Sequence, residues 1–188
     1  MNKILKYLLS ADSFYLLAAG LFGPIYAIFV VRIGGDILEA GIAYTAFSLA
    51  AGLMIILVGR WEDRVRHKEK LLVLGYSLGS AGILGYLFVS NPLQLFLVQI
   101  VLGLGEAVRS PAYDCIYSTS LDKGKYASEW GMYDSLVYIV GGISAAIGGL
   151  VASFFGFQTL FILMFLLSLS SMAISARLYY LNKKPTRL

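Results

Sequence analysis

Charged residues are scarce in this chain of 188 residues: they make up 14% of it, while hydrophobic residues make up 59%. A soluble domain usually carries about 25% charged residues, so much of the surface must face lipid. The single cysteine, Cys115, excludes an internal disulfide and a cysteine-based metal site. The single histidine, His67, lies in a charged loop and argues against a histidine-based metal site. No cluster of catalytic groups is found, so we predict neither an enzyme nor a bound cofactor.

Long apolar runs are what the sequence has instead. A membrane-spanning helix needs about 20 predominantly apolar residues, and the chain contains six runs of this kind. They cover approximately residues 12–31, 40–59, 71–89, 93–117, 129–155 and 157–178. The connections between them are short, so neighbouring helices should be antiparallel. We therefore predict an all-α, polytopic membrane protein, with residues 1–188 forming a single six-helix transmembrane domain.

The basic residues are distributed unevenly among the loops. Thirteen of the 15 lysines and arginines lie in the N-terminal segment, the second-to-third loop, the fourth-to-fifth loop or the C-terminal segment. All four regions are on one side of the predicted membrane, and cytoplasmic loops carry such an excess. The pattern predicts a cell-membrane protein with both termini in the cytoplasm. It also accounts for the net charge of +4 without a nucleic-acid partner.

One motif stands in the loop between the second and third predicted spans. The segment reads Gly59-Arg60-Trp61-Glu62-Asp63-Arg64-Val65-Arg66-His67-Lys68. It resembles the signature loop of the major facilitator superfamily, written G-x-x-x-D-[RK]-x-G-[RK]-[RK]. Gly59, Asp63, Arg64 and Lys68 match, whereas Arg66 replaces the usual glycine and His67 stands where the family has a basic residue.

The resemblance extends over the chain. Gly103, Gly105 and Pro111 look like the fourth helix of that family, although Gln99 stands where the family usually has an arginine. The family has two six-helix halves related by an axis along the membrane normal, each an inverted three-plus-three repeat. The resemblance implies that this chain is similar to one half, the N-terminal one. It also implies a secondary active transporter of small organic solutes that works by rocking and is coupled to protons.

Six helices cannot enclose the pathway that twelve enclose. A homodimer with its two-fold axis along the membrane normal is the simplest source of a second half, because the two halves of the family are already parallel. A separately encoded second half, a fragment of a longer transporter and a scaffold or regulatory subunit without transport are the alternatives.

Two ionisable residues stand within the fourth predicted span, where such residues are costly and usually functional. Glu106 and Arg109 are three residues apart and so share a helix face. Our hypothesis is that Glu106 is the coupling carboxylate, which binds and releases a proton; a self-neutralising pair is the alternative. Asp134 in the fifth span either reaches Arg109 or is stabilised near its helix N-terminus. Asp12, at the predicted start of the first span, is expected to cap that helix.

The resemblance also indicates which residues line a cavity, because the first and fourth helices of each half do so in the family. By that resemblance Tyr26, Gln99, Glu106, Arg109 and Tyr113 would face it. An aromatic wall with few charges suits amphipathic or cationic organic molecules. The alternative for some tyrosines is anchoring at the membrane interface.

The signature loop has a separate expected role. Asp63 could accept hydrogen bonds at the positive N-terminus of a partner's fifth helix. We predict that Gly59, Asp63, Arg64 and Lys68 form a latch that holds the cytoplasmic side shut.

Overall fold

The computed structural model describes residues 2–183, and every regular element in this range is helical. The helices are α1 (Lys3–Phe22), α2 (Tyr26–Arg32), α3 (Ile37–Glu62), α4 (Lys68–Gly85), α5 (Pro92–Thr119) and α6 (Tyr126–Lys183), with 3-10 turns at Gly23–Ile25 and Tyr86–Phe88. The basic residues Lys184 and Arg187, which the charge pattern places in the cytoplasm, lie outside the described residues.

Local capping explains where two of the helices begin. Asp36 and Glu39 form a capping box at the start of α3: the Glu39 N–H donates to Asp36 Oδ1 at 2.8 Å, and the Asp36 N–H donates to Glu39 Oε2 at 3.0 Å. At α5, Asn91 Oδ1 accepts from the backbone of Gln94 at 3.0 Å, and Pro92 takes the first helical position. The sequence encodes both helix starts directly.

Helix α1 starts earlier than the apolar run indicates. It begins at Lys3, where Asn2 Oδ1 accepts from the Ile4 N–H at 3.2 Å. The prediction of a first span from about residue 12, with Asp12 as its cap, is therefore wrong. Asp12 lies inside the helix and is fully buried.

Helix α6 is two helices separated by a break at Gly156. An unbroken helix of its 58 residues would be about 87 Å long, nearly three times the roughly 30 Å of bilayer hydrocarbon. Gly156 has φ 79° and ψ 171°, values that a residue with a side chain rarely adopts. It separates an arm over 126–155 from an arm over 157–183.

The two arms run in opposite directions. The ring of Phe157 lies 5.5 Å from the guanidinium carbon of Arg32, at the end of α2. The ring of Tyr179 lies 5.8 Å from that of His67, in the loop between α3 and α4, on the opposite side of the bundle. The arm over 126–155 starts on the side of His67, because Tyr117 donates to the Glu129 carbonyl and Thr119 lines a pocket with Arg66 and Lys68. The chain therefore reverses at Gly156.

Five of the described helical segments are long and apolar enough to cross a membrane, and the last of them, with its break at Gly156, is long enough to cross twice. Counting its two arms separately gives the six predicted spans. From here the first to sixth spans are Lys3–Arg32, Ile37–Glu62, Lys68–Phe88, Pro92–Thr119, 126–155 and 157–183. The side that carries the loop between the second and third spans is called the basic side.

The packing of the spans has the symmetry of an internal repeat. The first span packs against the fifth and sixth, the fourth packs against the second and third, and the third also packs against the sixth. If the first, second and third spans are exchanged with the fourth, fifth and sixth, each of these packing pairs becomes another pair of the same set. Because the first triplet crosses the membrane three times, the second triplet starts from the opposite side. This is the arrangement of an inverted three-plus-three repeat.

Glycines set the closest helix contacts. A Cβ at Gly148 of the fifth span would collide with the backbone carbonyl of Leu21 in the first span. A Cβ at Gly75 of the third span would lie 2.6 Å from the backbone nitrogen of Arg109 in the fourth. The small residues of the fifth span divide between two faces, because Cβ atoms at Gly142 and Gly149 would meet nothing within 4 Å.

Candidate functional site

A cavity of about 350 Å³, called the central cavity, lies among the first, second and fourth spans and is closed by side chains of the third and sixth. Its lining is mostly apolar and aromatic. The polar lining residues are Tyr15, Tyr26, Tyr44, Tyr86, Gln99, Glu106 and Arg109. Four of the residues predicted to face a cavity, Tyr26, Gln99, Glu106 and Arg109, therefore line one together.

Arg109 joins two carboxylates from different spans at one end of this cavity. Its Nη1 donates to Asp12 Oδ1 at 2.7 Å. Its Nη2 and Nε donate to the two oxygens of Glu106 at 2.8 and 3.1 Å, a bidentate pair. Asp12, Glu106 and Arg109 are called the buried triad. The Glu106 side chain is 25% exposed, against 0% for Asp12 and 9% for Arg109, so Glu106 is the member that a proton or solute in the cavity meets first.

Tyrosines surround the triad. The Tyr76 hydroxyl donates to Asp12 Oδ1 at 2.9 Å. The guanidinium carbon of Arg109 lies 5.2 Å from the ring centroid of Tyr15, 5.8 Å from that of Tyr76 and 5.9 Å from that of Tyr113. Aromatic faces attract a cation at such distances, and more strongly when it is removed from water. Asp12 Oδ2 is buried without a hydrogen-bond partner in the described part of the chain.

The charges of the buried triad do not balance. With all three groups ionised, two carboxylates face one guanidinium, and the triad carries one net negative charge. An uncompensated charge removed from water costs several kcal/mol. A proton on one of the carboxylates, or a cation in the central cavity beside Glu106, would neutralise it. The arrangement is therefore suited to hold one or the other.

A second polar contact crosses the cavity further from the basic side. Gln99 Nε2 in the fourth span donates to the Tyr26 hydroxyl in the first at 2.7 Å. Tyr26 directly follows the 3-10 turn over Gly23–Ile25, which interrupts the first span. Tyr44 of the second span lines the same cavity and is 61% exposed. The cavity is therefore open past Tyr44 to the outside of the bundle.

Two of the predicted site residues lie elsewhere. Tyr113 does not line the central cavity: it is almost fully buried beneath Arg109 and stacks on Tyr117 at 5.7 Å between ring centroids. Asp134 is exposed on the fifth span, and the structure gives it no bond to Arg109 within the described chain. The roles assigned to both stay predictions.

The signature loop closes the end of the second span on the basic side. Lys68 Nζ donates to the backbone carbonyls of Glu62 at 2.9 Å and Val65 at 3.4 Å, so it caps the end of that helix. Asp63 and Arg64 are exposed next to it, and Gly59 lies one turn earlier. The function of these residues as a latch stays a prediction.

Asp12 is the site residue whose position in the sequence was misinterpreted. A helix that begins at Lys3 places Asp12 and Tyr15, three residues apart, on one face directed at Arg109. The signal for this was present, because the apolar pattern already starts at Ile4 and Leu5, well before the predicted boundary.

Comparison with known proteins gives concordant matches. A family model described as Major Facilitator Superfamily matches residues 8–188. YitZ of Bacillus subtilis, an uncharacterized MFS-type transporter, is 30% identical over 145 residues, which cover 77% of this chain and 87% of that protein. An uncharacterized MFS-type transporter of Methanocaldococcus jannaschii is 29% identical over 143 residues, 76% of this chain but 37% of that protein. LtaA of Staphylococcus haemolyticus, a proton-coupled antiporter flippase, is 26% identical over 133 residues, 70% of this chain and 33% of that protein.

Proposed function

Because the chain belongs to the Major Facilitator Superfamily, we propose that it is a proton-coupled secondary transporter of small organic solutes. It is a multi-pass membrane protein, and in the proposal it lies in the cell membrane with both termini in the cytoplasm. The observation that carries the proposal is the unbalanced buried triad at one end of an aromatic cavity.

The proposed coupling is an exchange of positive charge at the triad. When Glu106 is protonated, Arg109 and Asp12 form a neutral pair, and the central cavity has no electrostatic preference for a cation. When Glu106 is deprotonated, the triad gains a negative charge that a cationic solute in the cavity can neutralise. Protons and solute thus compete for one site, as antiport requires. The similarity to a protein named as a proton-coupled antiporter supports this direction.

The lining of the cavity favours amphipathic or cationic organic solutes. Phe22, Tyr15, Tyr26 and Tyr44 supply aromatic surface, and Glu106 supplies the acceptor. Aromatic rings carry no full charge, but the negative potential of their faces attracts organic cations. Most ligand sites likewise combine an apolar wall with a few polar groups that fix orientation.

Replacing Glu106 with glutamine tests the coupling. In liposomes that contain the purified chain, we expect Glu106→Gln to reduce ethidium movement driven by a pH gradient by about tenfold or more, because a neutral side chain cannot exchange a proton. The matched control is Asp114→Asn, which removes an exposed carboxylate of the same span outside the central cavity. Full pH-driven movement in the Glu106 variant, or equal losses in both variants, would argue against the assignment.

We also propose that two copies form the complete pathway, with a two-fold axis along the membrane normal. The central cavity is open past Tyr44, so a single copy does not enclose it. The second span has small or polar residues on one exposed face, Gly41, Thr45, Ser48 and Gly52. Such residues allow close helix approach. The match that covers 87% of YitZ shows that a relative of similar length exists.

Asp134 supports the same arrangement. It is exposed on the fifth span, in a sector of about 100° that also holds Ser135 and Gly142 and is called the Asp134 face. A carboxylate that faces hydrocarbon is costly, whereas one that faces a partner or a water-filled path is not. This face is therefore proposed to meet the second copy. Pairing with a separately encoded half and a scaffold without transport are the competing assignments; both would leave the purified chain without transport of its own.

A further inference from the structure

A second concave site lies at the end of the bundle opposite the basic side. It has a volume of about 480 Å³ and is formed by the ends of the first, third and sixth spans. We propose that this site, called the Arg32 pocket, binds the phosphate headgroup of a membrane phospholipid. Its lining includes Phe29, Arg32, Tyr86, Phe157, Gln158 and Phe161.

The pocket contains a cation with no carboxylate partner in the described part of the chain. Among residues 2–183, Arg32 makes no ion pair, and its guanidinium carbon lies 5.5 Å from the ring centroid of Phe157. The acids nearest to it in sequence, Asp36 and Glu39, direct their carboxylates at each other's backbone N–H groups in the capping box. The guanidinium is exposed and has its hydrogen-bond donors available for an oxyanion, which it can bind through two parallel bonds.

The wall beneath the cation is aromatic. Phe29 lies 4.9 Å from Phe161 and 5.3 Å from Phe157 between ring centroids, and Tyr86 stacks on Phe161 at 5.2 Å. Phe29, Tyr86 and Phe161 are 2–5% exposed, so they form a closed floor to the pocket, and the partly exposed ring of Phe157 is the apolar surface beside the cation. A cation beside a partly exposed apolar ring favours an anion that carries an apolar tail.

The position of the pocket identifies the source of that anion. Arg32 is the last residue of the first span, Ser90 lies in the short loop before the fourth, and Phe157 begins the sixth. This is the level at which hydrocarbon gives way to headgroups, where basic and aromatic side chains anchor membrane proteins. Gln158 adds an exposed amide at the same level. Lipid phosphates occupy this layer, so the occupant is a phospholipid rather than a soluble solute.

Native mass spectrometry of the detergent-purified chain, titrated with phosphatidylglycerol, tests the proposal without any transport measurement. We expect Arg32→Gln to weaken the tightest lipid-binding event by about tenfold, the loss typical of one charge-assisted contact, and Arg32→Lys to weaken it less. The matched control is Arg60→Gln, which removes an exposed arginine on the basic side and should leave this event unchanged. Unaltered melting temperatures will show that the variants are folded.

Three results would overturn the proposal. Equal affinity in wild type and Arg32→Gln would exclude the guanidinium as the ligand group. An equal loss in Arg60→Gln would indicate general charge attraction instead of a site. Displacement of the lipid by glycerol 3-phosphate at the same concentration as phosphatidylglycerol would assign the pocket to a soluble anion. Transport can fail entirely without affecting any of these readings.

Discussion

Arg109→Gln is expected to abolish transport and to lower the free energy of unfolding by about 3–5 kcal/mol, the usual effect of removing one partner of a buried ion pair. The reason is the position of Arg109 between two carboxylates. Asp12 is fully buried and would lose the one cation that pairs with it among residues 2–183, and Glu106 would lose both of its hydrogen bonds to the guanidinium. Thermal unfolding in detergent and flux in liposomes measure the two effects.

A double variant separates the electrostatic loss from general damage to packing. Asp12→Asn combined with Arg109→Gln restores the net charge of the triad, since one carboxylate and one cation are removed together. We expect the double variant to be more stable than Arg109→Gln alone, which gives a positive coupling between the two positions. Wild-type stability in the single variant, or a double variant less stable than the single, would contradict the triad as described.

Gly148→Ala is expected to destabilise the protein by about 1–3 kcal/mol, the usual cost of an added methyl group in a packed interface. Its Cβ would collide with the backbone carbonyl of Leu21, and neither group belongs to a side chain that can rotate away. The first and fifth spans must therefore separate. Thermal unfolding in detergent measures the loss.

The neighbouring glycine provides a control with identical chemistry. A Cβ at Gly149 would meet nothing within 4 Å, so Gly149→Ala should not lower the melting temperature, since alanine is the better helix former by about 1 kcal/mol. Equal melting temperatures for the two variants would mean that the first and fifth spans are not packed as closely as described.

The features that the sequence predicts well are local ones. Apolar runs locate the spans, Asn91 and Pro92 mark a helix start, and Gly156 marks the reversal. Glu106 and Arg109 are predicted as a pair because a spacing of three residues places them on one helix face. Each of these inferences needs only a short stretch of chain.

Contacts between distant segments could not be predicted in the same way. Asp12 and Arg109 are 97 residues apart, and Gln99 and Tyr26 are 73 apart. These contacts depend on which faces of the spans meet. Helices that are apolar on all sides carry little periodic signal about that, because lipid and protein neighbours are equally apolar. Asp12 was assigned to a helix cap because the first span was predicted to start at this charged residue, although the apolar pattern already begins at Ile4 and Leu5.

If two copies of this six-span chain form one transport pathway, each transporting particle should contain two chains, and counting the chains per particle tests this. The measurement is stepwise photobleaching of singly labelled protein in liposomes at low density, with Gly142→Trp as the disrupting variant and Ile143→Trp as its control. Gly142 lies in the Asp134 face, whereas Ile143 lies about 180° from Asp134 around the helix and is 52% exposed. We expect two bleaching steps for wild type and Ile143→Trp and mostly one for Gly142→Trp. Single-step bleaching of wild-type chains in liposomes that carry out pH-driven transport would contradict it.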